Sequence, residues 1–264
     1  MKINKGYKVI IIILVVYFLV FFCILGLDNL KKNKHNFILL VGESTVWEYA
    51  SQKWLNVTAS STLEKINWQE YQVYIDNQYV NKYQLWFDDK WYAFNIDPKT
   101  KERQAVQLEG DLIAYKANYD LNIKSFKNEK VTNNTYIQQV LNQNGLSTGS
   151  KLTVNNVVQI DIDNDGTIEE FYVISNAFPT DNYPDTIFSI VFMVKNEQIY
   201  PMYSNITKGK NTNGCKPFIR TFLDIDEDNI HEVIVSCGKY SIQKPEDMLF
   251  QLSNKEFKLL ISNQ

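Results

Sequence analysis

The sequence predicts a mainly β protein with an apolar helix near its N-terminus and one short helix further along the chain. Aromatic residues make up 14% of the 264 residues, whereas there are only 10 glycines and 6 prolines. That balance favours strands over flexible linkers. Short apolar runs of strand length, separated by turn residues, recur from Phe37 onward. The longest uncharged apolar run covers residues 9–27.

The composition excludes several classes of protein. Lys and Arg total 27 and Asp and Glu total 30, so the net charge of −3 does not suit a nucleic-acid binder that works through a broad basic field. Hydrophobic residues reach 45% and charged residues 22%, which predicts a folded chain. Three cysteines are too few for a disulfide-dense miniprotein. The length allows one large or two small domains.

Residues 9–27 are predicted to be a transmembrane anchor. As a helix this run is about 28 Å long, enough to cross a hydrocarbon core of about 30 Å. Residues 1–8, with three lysines, form the cytoplasmic n-region, and the polar residues 28–36 form a linker. Basic residues flank both ends of the run and therefore do not set its orientation. A large C-terminal part that follows a single N-terminal anchor is most often extracytoplasmic, and we expect that position here. The alternative is a cleaved signal peptide, which normally has a shorter apolar run and a small-residue cleavage site.

Residues 37–123 are predicted to form a β-rich, aromatic domain. Residues 37–41 read as a short strand, and residues 71–75 alternate, which places Tyr71, Val73 and Ile75 on one face. Turn residues between apolar runs predict three hairpin pairings, of residues 46–49 with 53–57, 83–87 with 90–94, and 105–108 with 112–115.

Residues 124–134 are polar and are predicted to be a linker before a second β domain over residues 135–264. Residues 135–143 have helical apolar spacing, with Asn134 as a candidate N-cap and Gly145 as a stop. Strands are then expected over residues 151–154, 157–160, 171–175, 187–194, 218–223, 233–237 and 248–252.

Two acidic loops in this domain have the same spacing. The first contains Asp161, Asp163, Asp165, Gly166 and Glu169. The second contains, at the same offsets, Asp224, Asp226, Asp228, Asn229 and Glu232.

This spacing is typical of a calcium site. Ca²⁺ takes about 6–8 oxygen ligands, and a tight turn can aim carboxylates from positions 1, 3, 5 and 9 inward, with a backbone carbonyl at position 7. Position 6 then needs a turn residue that tolerates positive φ, which suits Gly166 and Asn229. We expect calcium chiefly at the first loop and more weakly at the second; the alternative is a pair of solvent-exposed acidic β-turns. The candidate ligands are Asp161, Asp163, Asp165, the Thr167 carbonyl and Glu169, and Asp224, Asp226, Asp228, the Ile230 carbonyl and Glu232.

The strand–loop–strand acidic pattern resembles the calcium loops of FG-GAP and VCBS repeats, as in integrin α-type β-propellers. The resemblance covers about 40 residues, in 155–175 and 217–237. It implies a β-propeller-like repeat, bound calcium and an extracytoplasmic scaffold. An EF-hand is excluded because position 12 is Tyr172 in one loop and Val235 in the other, where that motif needs glutamate.

Other residues allow further interpretations. Residues 163–168 also match the opening aspartate box of haloacid-dehalogenase-type phosphatases, with Asp163 as nucleophile and Asp165 as general acid. A disulfide between Cys215 and Cys237 is one alternative and two free thiols are the other. His35 and His231 are expected to be surface residues, since neither has a partner at zinc-ligand spacing.

The tryptophans could form a sugar-stacking face, against the simpler interpretation of hairpin and core packing. They are Trp47, Trp54, Trp68, Trp86 and Trp91.

The function expected from the sequence is that of a single-pass, membrane-anchored, extracytoplasmic binding or scaffold protein with calcium-stabilised loops. It is expected to have a protein or cell-wall glycan partner, no nucleic-acid partner and no enzymatic activity. A carbohydrate-binding module that uses the tryptophans and an unrecognised hydrolase are the alternatives.

Overall fold

The computed structural model describes residues 37–42, 45–50, 53–57, 66–88, 90–116, 120–177, 185–209, 214–239 and 245–263. The predicted anchor 9–27 and its flanks 1–8 and 28–36 lie outside these residues. Within them, no helix has the length and apolar character needed to cross a membrane.

The described chain is mainly β, with one α-helix, as the sequence predicts. The strands are β1 (Phe37–Val41), β2 (Thr45–Ala50), β3 (Lys53–Asn56), β4 (Gln69–Ile75), β5 (Gln78–Asp88), β6 (Lys90–Ile96), β7 (Arg103–Val106), β8 (Leu112–Lys116), β9 (Asn128–Lys130), β10 (Val154–Ile160), β11 (Glu169–Ser175), β12 (Thr186–Lys195), β13 (Gln198–Lys208), β14 (Cys215–Leu223), β15 (Glu232–Lys239), β16 (Glu246–Ser253) and β17 (Glu256–Ser262). The helix is α1 (Thr135–Gln143).

Strands β1–β8 form one antiparallel sheet in the order β3-β2-β1-β8-β4-β5-β6-β7. The predicted hairpins β2–β3 and β5–β6 are confirmed. The predicted pairing of residues 105–108 with 112–115 is wrong, because β7 pairs with β6 and β8 lies between β1 and β4. Burial explains the difference: Leu112 to Tyr115 are all buried and suit a central strand, whereas β7 is largely exposed and suits an edge.

Two four-stranded antiparallel units follow, β10–β13 and β14–β17. Each unit has an acidic loop between its first two strands. Strand β9 extends the first unit by pairing with β10, so part of the predicted linker 124–134 is a strand. Lys124 in the same segment makes a β-bridge to Phe222 of β14.

The β14–β17 sheet lies between the other two sheets. Alternate residues of β15 point to opposite sides: Val233 and Val235 join a core with the β10–β13 unit, and Ile234 joins a core with β1, β2, β4 and β8. The two regions that the sequence divides at 124–134 therefore share buried apolar surface.

Helix α1 covers the outer face of the β10–β13 sheet. Its residues Ile137, Val140 and Leu141 pack on strands β11 and β12. The predicted bounds 135–143 are confirmed, and Gly145 follows the helix with φ of 66°. The Asn134 side chain makes no capping bond. The predicted strand 151–154 is wrong except for its last residue, because β10 begins at Val154 and continues to Ile160.

A buried polar network connects the β1–β8 sheet to the β14–β17 sheet. Arg220 stands at a β-bulge in β14, which turns its side chain into the protein. Its guanidinium pairs with Asp111 and Asp247, and its Nε donates to the Ser236 hydroxyl at 2.7 Å. Asp247 Oδ2 also accepts a hydrogen bond of 2.6 Å from the Thr45 hydroxyl. Arg220 and Asp247 are almost wholly buried.

Candidate metal centre

The two acidic loops, loop 1 (residues 161–169) and loop 2 (residues 224–232), lie side by side. The His231 backbone N–H donates to the Ile162 carbonyl at 2.9 Å, and the His231 ring Nδ1 lies 3.0 Å from the same oxygen. The Asn164 amide donates to the Asn229 carbonyl at 2.9 Å. His231 is fully buried, so the expectation that it is a surface residue is wrong. It connects the two loops.

Both loops have the same internal hydrogen bonds. The carboxylates at positions 1, 5 and 9 accept bonds from the backbone N–H groups at positions 6, 7 and 2. In loop 1 these bonds are Gly166 to Asp161 at 3.0 Å, Thr167 to Asp165 at 2.8 Å and Ile162 to Glu169 at 2.8 Å. In loop 2 they are Asn229 to Asp224 at 3.1 Å, Ile230 to Asp228 at 2.7 Å and Ile225 to Glu232 at 2.9 Å.

Position 6 has the left-handed backbone that the sequence predicts. The φ angle is 85° at Gly166 and 69° at Asn229. Position 4 is also left-handed, with φ of 56° at Asn164 and 60° at Glu227. Each loop therefore turns sharply twice, and this brings the carboxylates of positions 1, 3 and 9 together.

The structure brings together three of the predicted carboxylates in each loop. In loop 1 they are Asp161, Asp163 and Glu169, and in loop 2 they are Asp224, Asp226 and Glu232; in each set the ligand atoms lie within 4.8 Å of one another. Asp165 and Asp228 fall outside these sets and accept hydrogen bonds from the turn. Coordination by the Thr167 and Ile230 carbonyls stays a prediction.

Loop 1 already contains a cation from the chain itself. The ammonium Nζ of Lys195, the last residue of β12, lies 2.6 Å from Asp163 Oδ2, 2.7 Å from Asp165 Oδ2 and 2.7 Å from Glu169 Oε1. Burial lowers the pKa of Lys195, but the three carboxylates outweigh burial and raise it above its usual value. The same ammonium lowers the pKa of Asp165 to about 2. The chain itself thus supplies one positive charge that offsets part of the negative charge of the loop 1 carboxylates.

In the part of the chain that the structure describes, loop 2 has no such counter-ion. Among the described residues, no lysine or arginine forms an ion pair with Asp224, Asp226, Asp228 or Glu232. The nearest polar group from a neighbouring strand is the Gln251 amide of β16, whose Nε2 lies 3.1 Å from Asp226 Oδ2 and 3.1 Å from Glu232 Oε1. A neutral amide donates hydrogen bonds but does not itself neutralise the negative charge of the cluster.

The electrostatics of loop 2 reflect this difference. Burial raises the pKa of Glu232 to about 8. Partial loss of solvent, together with the charges of Asp228 and Asp224, raises the pKa of Asp226 to about 6. Asp224 is 6% exposed, and its Oδ1 accepts no hydrogen bond from the described residues. An orphaned carboxylate oxygen beside two other carboxylates fits a cation. Asp163 Oδ1 of loop 1 is orphaned as well, but there the Lys195 ammonium already contacts the carboxylates, so these residues do not fit a second cation.

The structure also locates the other candidate residues. Cys215 and Cys237 form a disulfide between β14 and β15. His35 lies outside the described residues. Asp163 and Asp165 stand in an antiparallel hairpin loop and pair with Lys195, which does not fit their assigned roles as phosphatase nucleophile and acid.

The tryptophans do not share one open surface. Trp47 is fully buried and packs edge-on against Trp54, with ring centroids 6.3 Å apart. Trp68 and Trp86 are stacked on each other at 5.9 Å, and the Arg103 guanidinium lies 4.1 Å over the Trp68 ring. Sugar stacking needs an open ring face, so this arrangement favours packing.

Sequence reasoning missed Lys124, whose ammonium donates to the Asp161 carbonyl at 2.8 Å and to Asn164 Oδ1 at 2.6 Å. It also missed Lys195 and Gln251. Each lies on the strand that pairs with the strand after its loop: Glu170 is opposite Val194, and Val233 is opposite Phe250. Lys195 therefore comes beside Glu169, and Gln251 beside Glu232. The lysine could be found by predicting that β12 folds back antiparallel to β11 and then aligning the residues of the two strands. It is the only basic residue of β12, so it would be recognised as the partner of the acidic loop.

Comparison with known proteins gives no relative for this chain. No protein-family model, no curated protein and no solved structure matches it.

Proposed function

We propose that the protein is a single-pass, membrane-anchored, extracytoplasmic binding or scaffold protein in which calcium at loop 2 stabilises the end of the sheets where the two loops meet. The observation that carries the proposal is the loop 2 cluster. Three carboxylates lie within 4.8 Å, without a basic partner among the described residues, and one oxygen of the buried Asp224 is orphaned.

The donor set favours calcium over zinc or a transition metal. Asp224, Asp226 and Glu232 supply oxygen atoms only, and the one histidine of the loop, His231, turns its ring to Ile162 and Asn122 instead. Hard divalent cations prefer such carboxylate and carbonyl ligands. The Ile230 carbonyl and solvent would complete the shell. When bound, the ion supplies positive charge that offsets the repulsion among the carboxylates.

Two features support the extracytoplasmic placement. Residues 9–27 have the length and composition of a membrane anchor. The buried disulfide between Cys215 and Cys237 belongs to an oxidising compartment, because disulfides are rare in the reducing cytosol. We favour a binding function over catalysis, because the two aspartates of the candidate phosphatase box, Asp163 and Asp165, both form ion pairs with Lys195.

Calcium at loop 2 would act beyond that loop. Loop 2 is bonded to loop 1 through His231 and Asn164, and the Asp224 N–H donates to the Leu121 carbonyl at 2.7 Å. Asn122, next to Leu121, contacts the His231 ring. Ordering loop 2 therefore fixes three segments of the chain together, which suits a rigid surface for a protein or glycan partner.

Thermal unfolding of the full-length chain in detergent tests the proposal. The melting temperature is expected to be higher in millimolar calcium than in chelator, because a ligand at about 100 times its Kd adds about 2.7 kcal/mol to the stability of the folded state. The double variant Asp224→Asn, Asp226→Asn is expected to lose this increment.

The matched control is the equivalent double variant of loop 1, Asp161→Asn, Asp163→Asn. It is expected to keep the calcium increment, whatever its own melting temperature. An unchanged melting temperature of the wild-type chain would refute the proposal, as would a full increment in the loop 2 variant.

A further inference from the structure

Loop 1 has every carboxylate that loop 2 has, but a lysine ammonium contacts three of them. Lys195 Nζ lies 2.6–2.7 Å from three carboxylate oxygens, close to the roughly 2.3–2.6 Å that separates Ca²⁺ from its ligands. The ammonium thus contacts Asp163 and Glu169, which are two of the three carboxylates that could hold a divalent ion. Its side chain is only 14% exposed, so it is held between the strands and the loop rather than reaching in from solvent.

Loop 2 provides the comparison within the same chain. Gln251 occupies the position in β16 that Lys195 occupies in β12, and its amide nitrogen contacts the same two carboxylates, those of positions 3 and 9. Glutamine carries no charge, and rotation of its amide presents a carbonyl oxygen, which calcium accepts as a ligand. Lysine has three donors and no acceptor, so it can only compete with the ion.

Displacement of Lys195 by calcium is strongly disfavoured. Two cations cannot share a cluster of this size, because like charges a few ångströms apart repel strongly at the low effective dielectric of a partly buried site. Moving the ammonium away would leave a charged group without its three carboxylate partners. Loop 1 is therefore closed to a divalent ion even though Asp161, Asp163 and Glu169 converge.

We infer that Lys195 is the resident cation of loop 1, and that the residue at this strand position determines whether a loop takes a divalent ion. Lysine at position 195 prevents a divalent ion from binding at loop 1, and glutamine at position 251 allows one to bind at loop 2. The inference deepens the proposed function, on which only its statement about loop 2 rests. It gives one calcium ion per chain, bound at loop 2, despite two nearly identical acidic loops.

Calcium stoichiometry of the full-length chain, measured by equilibrium dialysis in detergent, tests the inference. The wild-type chain is expected to bind one ion, Lys195→Gln two, and Gln251→Lys none. Circular dichroism and the intact disulfide check that each variant is folded. Two ions bound to the wild-type chain would overturn the inference.

A loop 2-deficient variant, Asp224→Asn, Asp226→Asn, separates this inference from the proposed function and does not depend on the folding of a Lys195 variant. With Lys195 in place it is expected to bind no calcium, and an ion retained by it would overturn the inference. Adding Lys195→Gln in this background is expected to restore one ion, and a folded triple variant that binds none would also overturn it. A wild-type chain that binds none, together with Lys195→Gln that binds one, would refute calcium at loop 2 and still support the role of Lys195.

Discussion

Replacing Arg220 with methionine is expected to lower the free energy of unfolding by about 3–5 kcal/mol, the range for removal of one partner from a buried ion pair. The methionine keeps most of the volume but leaves Asp247, which is 1% exposed, without its positive partner. Asp247 would retain the hydroxyl donors of Thr45 and Ser236, which do not neutralise its charge. Since domains are stable by only about 5–15 kcal/mol, the loss should be large in any unfolding curve.

Urea unfolding of the full-length chain, followed by tryptophan fluorescence and by circular dichroism, measures this loss. The two probes should report one transition, because the β1–β8 sheet and the β14–β17 sheet share a core. The matched control is Lys82→Met, which removes an ion pair of 3.9 Å to Glu70 with both side chains more than half exposed, and it should cost less than about 1 kcal/mol. A loss below about 1 kcal/mol for Arg220→Met, or separate transitions in the wild-type chain, would refute the reasoning.

Three further predictions follow from the site and its surroundings. Replacing both Cys215 and Cys237 with alanine should lower the free energy of unfolding by about 3 kcal/mol, because the disulfide restricts the entropy of the unfolded chain over a sequence separation of 22. An unchanged urea midpoint would show that the disulfide does not stabilise the fold in this way. Because burial raises the pKa of Glu232 from 4.5 to about 8, stability without calcium should fall as pH rises through this window. Calcium binding should release protons and tighten from pH 6 to 8, which calorimetry in buffers of different ionisation enthalpy measures; pH-independent binding would refute it. Gly166→Val should cost about 1–2 kcal/mol because φ is 85°, whereas Gly166→Asn should cost much less, since loop 2 has Asn229 at φ of 69°; equal losses in thermal melts would argue against strain.

Local patterns in the sequence predict much of the fold. The helix 135–143 follows from apolar residues at helical spacing, and the strands of β11, β12 and β15 follow from apolar runs. The pairing of β8 with β1 and β4 could not be predicted in this way. It depends on contacts between residues far apart in the chain, which turn residues do not encode.

Strands β13 and β17 were missed because their residues are partly polar, although the turns before them are informative. Asn196 and Glu197 have φ of 50° and 63°, and Asn254 and Lys255 have φ of 51° and 65°. Two successive left-handed residues are typical of the tight turn of a β-hairpin, and asparagine favours its first position. Apolar periodicity alone overlooks such a signal.

In the candidate site, too, the features that depend on neighbouring residues are predicted from the sequence, and those that depend on strand pairing are not. The spacing of the acidic residues predicts both loops and the left-handed turn at Gly166 and Asn229. It does not predict Lys195 or Gln251, because each reaches its loop through the pairing of a later strand. The expectation that loop 1 is the stronger calcium site is therefore reversed in our proposal. The charge on the neighbouring strand, Lys195 beside loop 1 and Gln251 beside loop 2, distinguishes the two loops.

The most direct test of the account is a crystal structure of the protein grown with calcium, with the ion located by its anomalous scattering. The account predicts one peak in loop 2, among Asp224, Asp226 and Glu232, and none in loop 1, where the Lys195 ammonium contacts the carboxylates. A peak in loop 1 with Lys195 turned away, or the absence of a peak in loop 2, would contradict it.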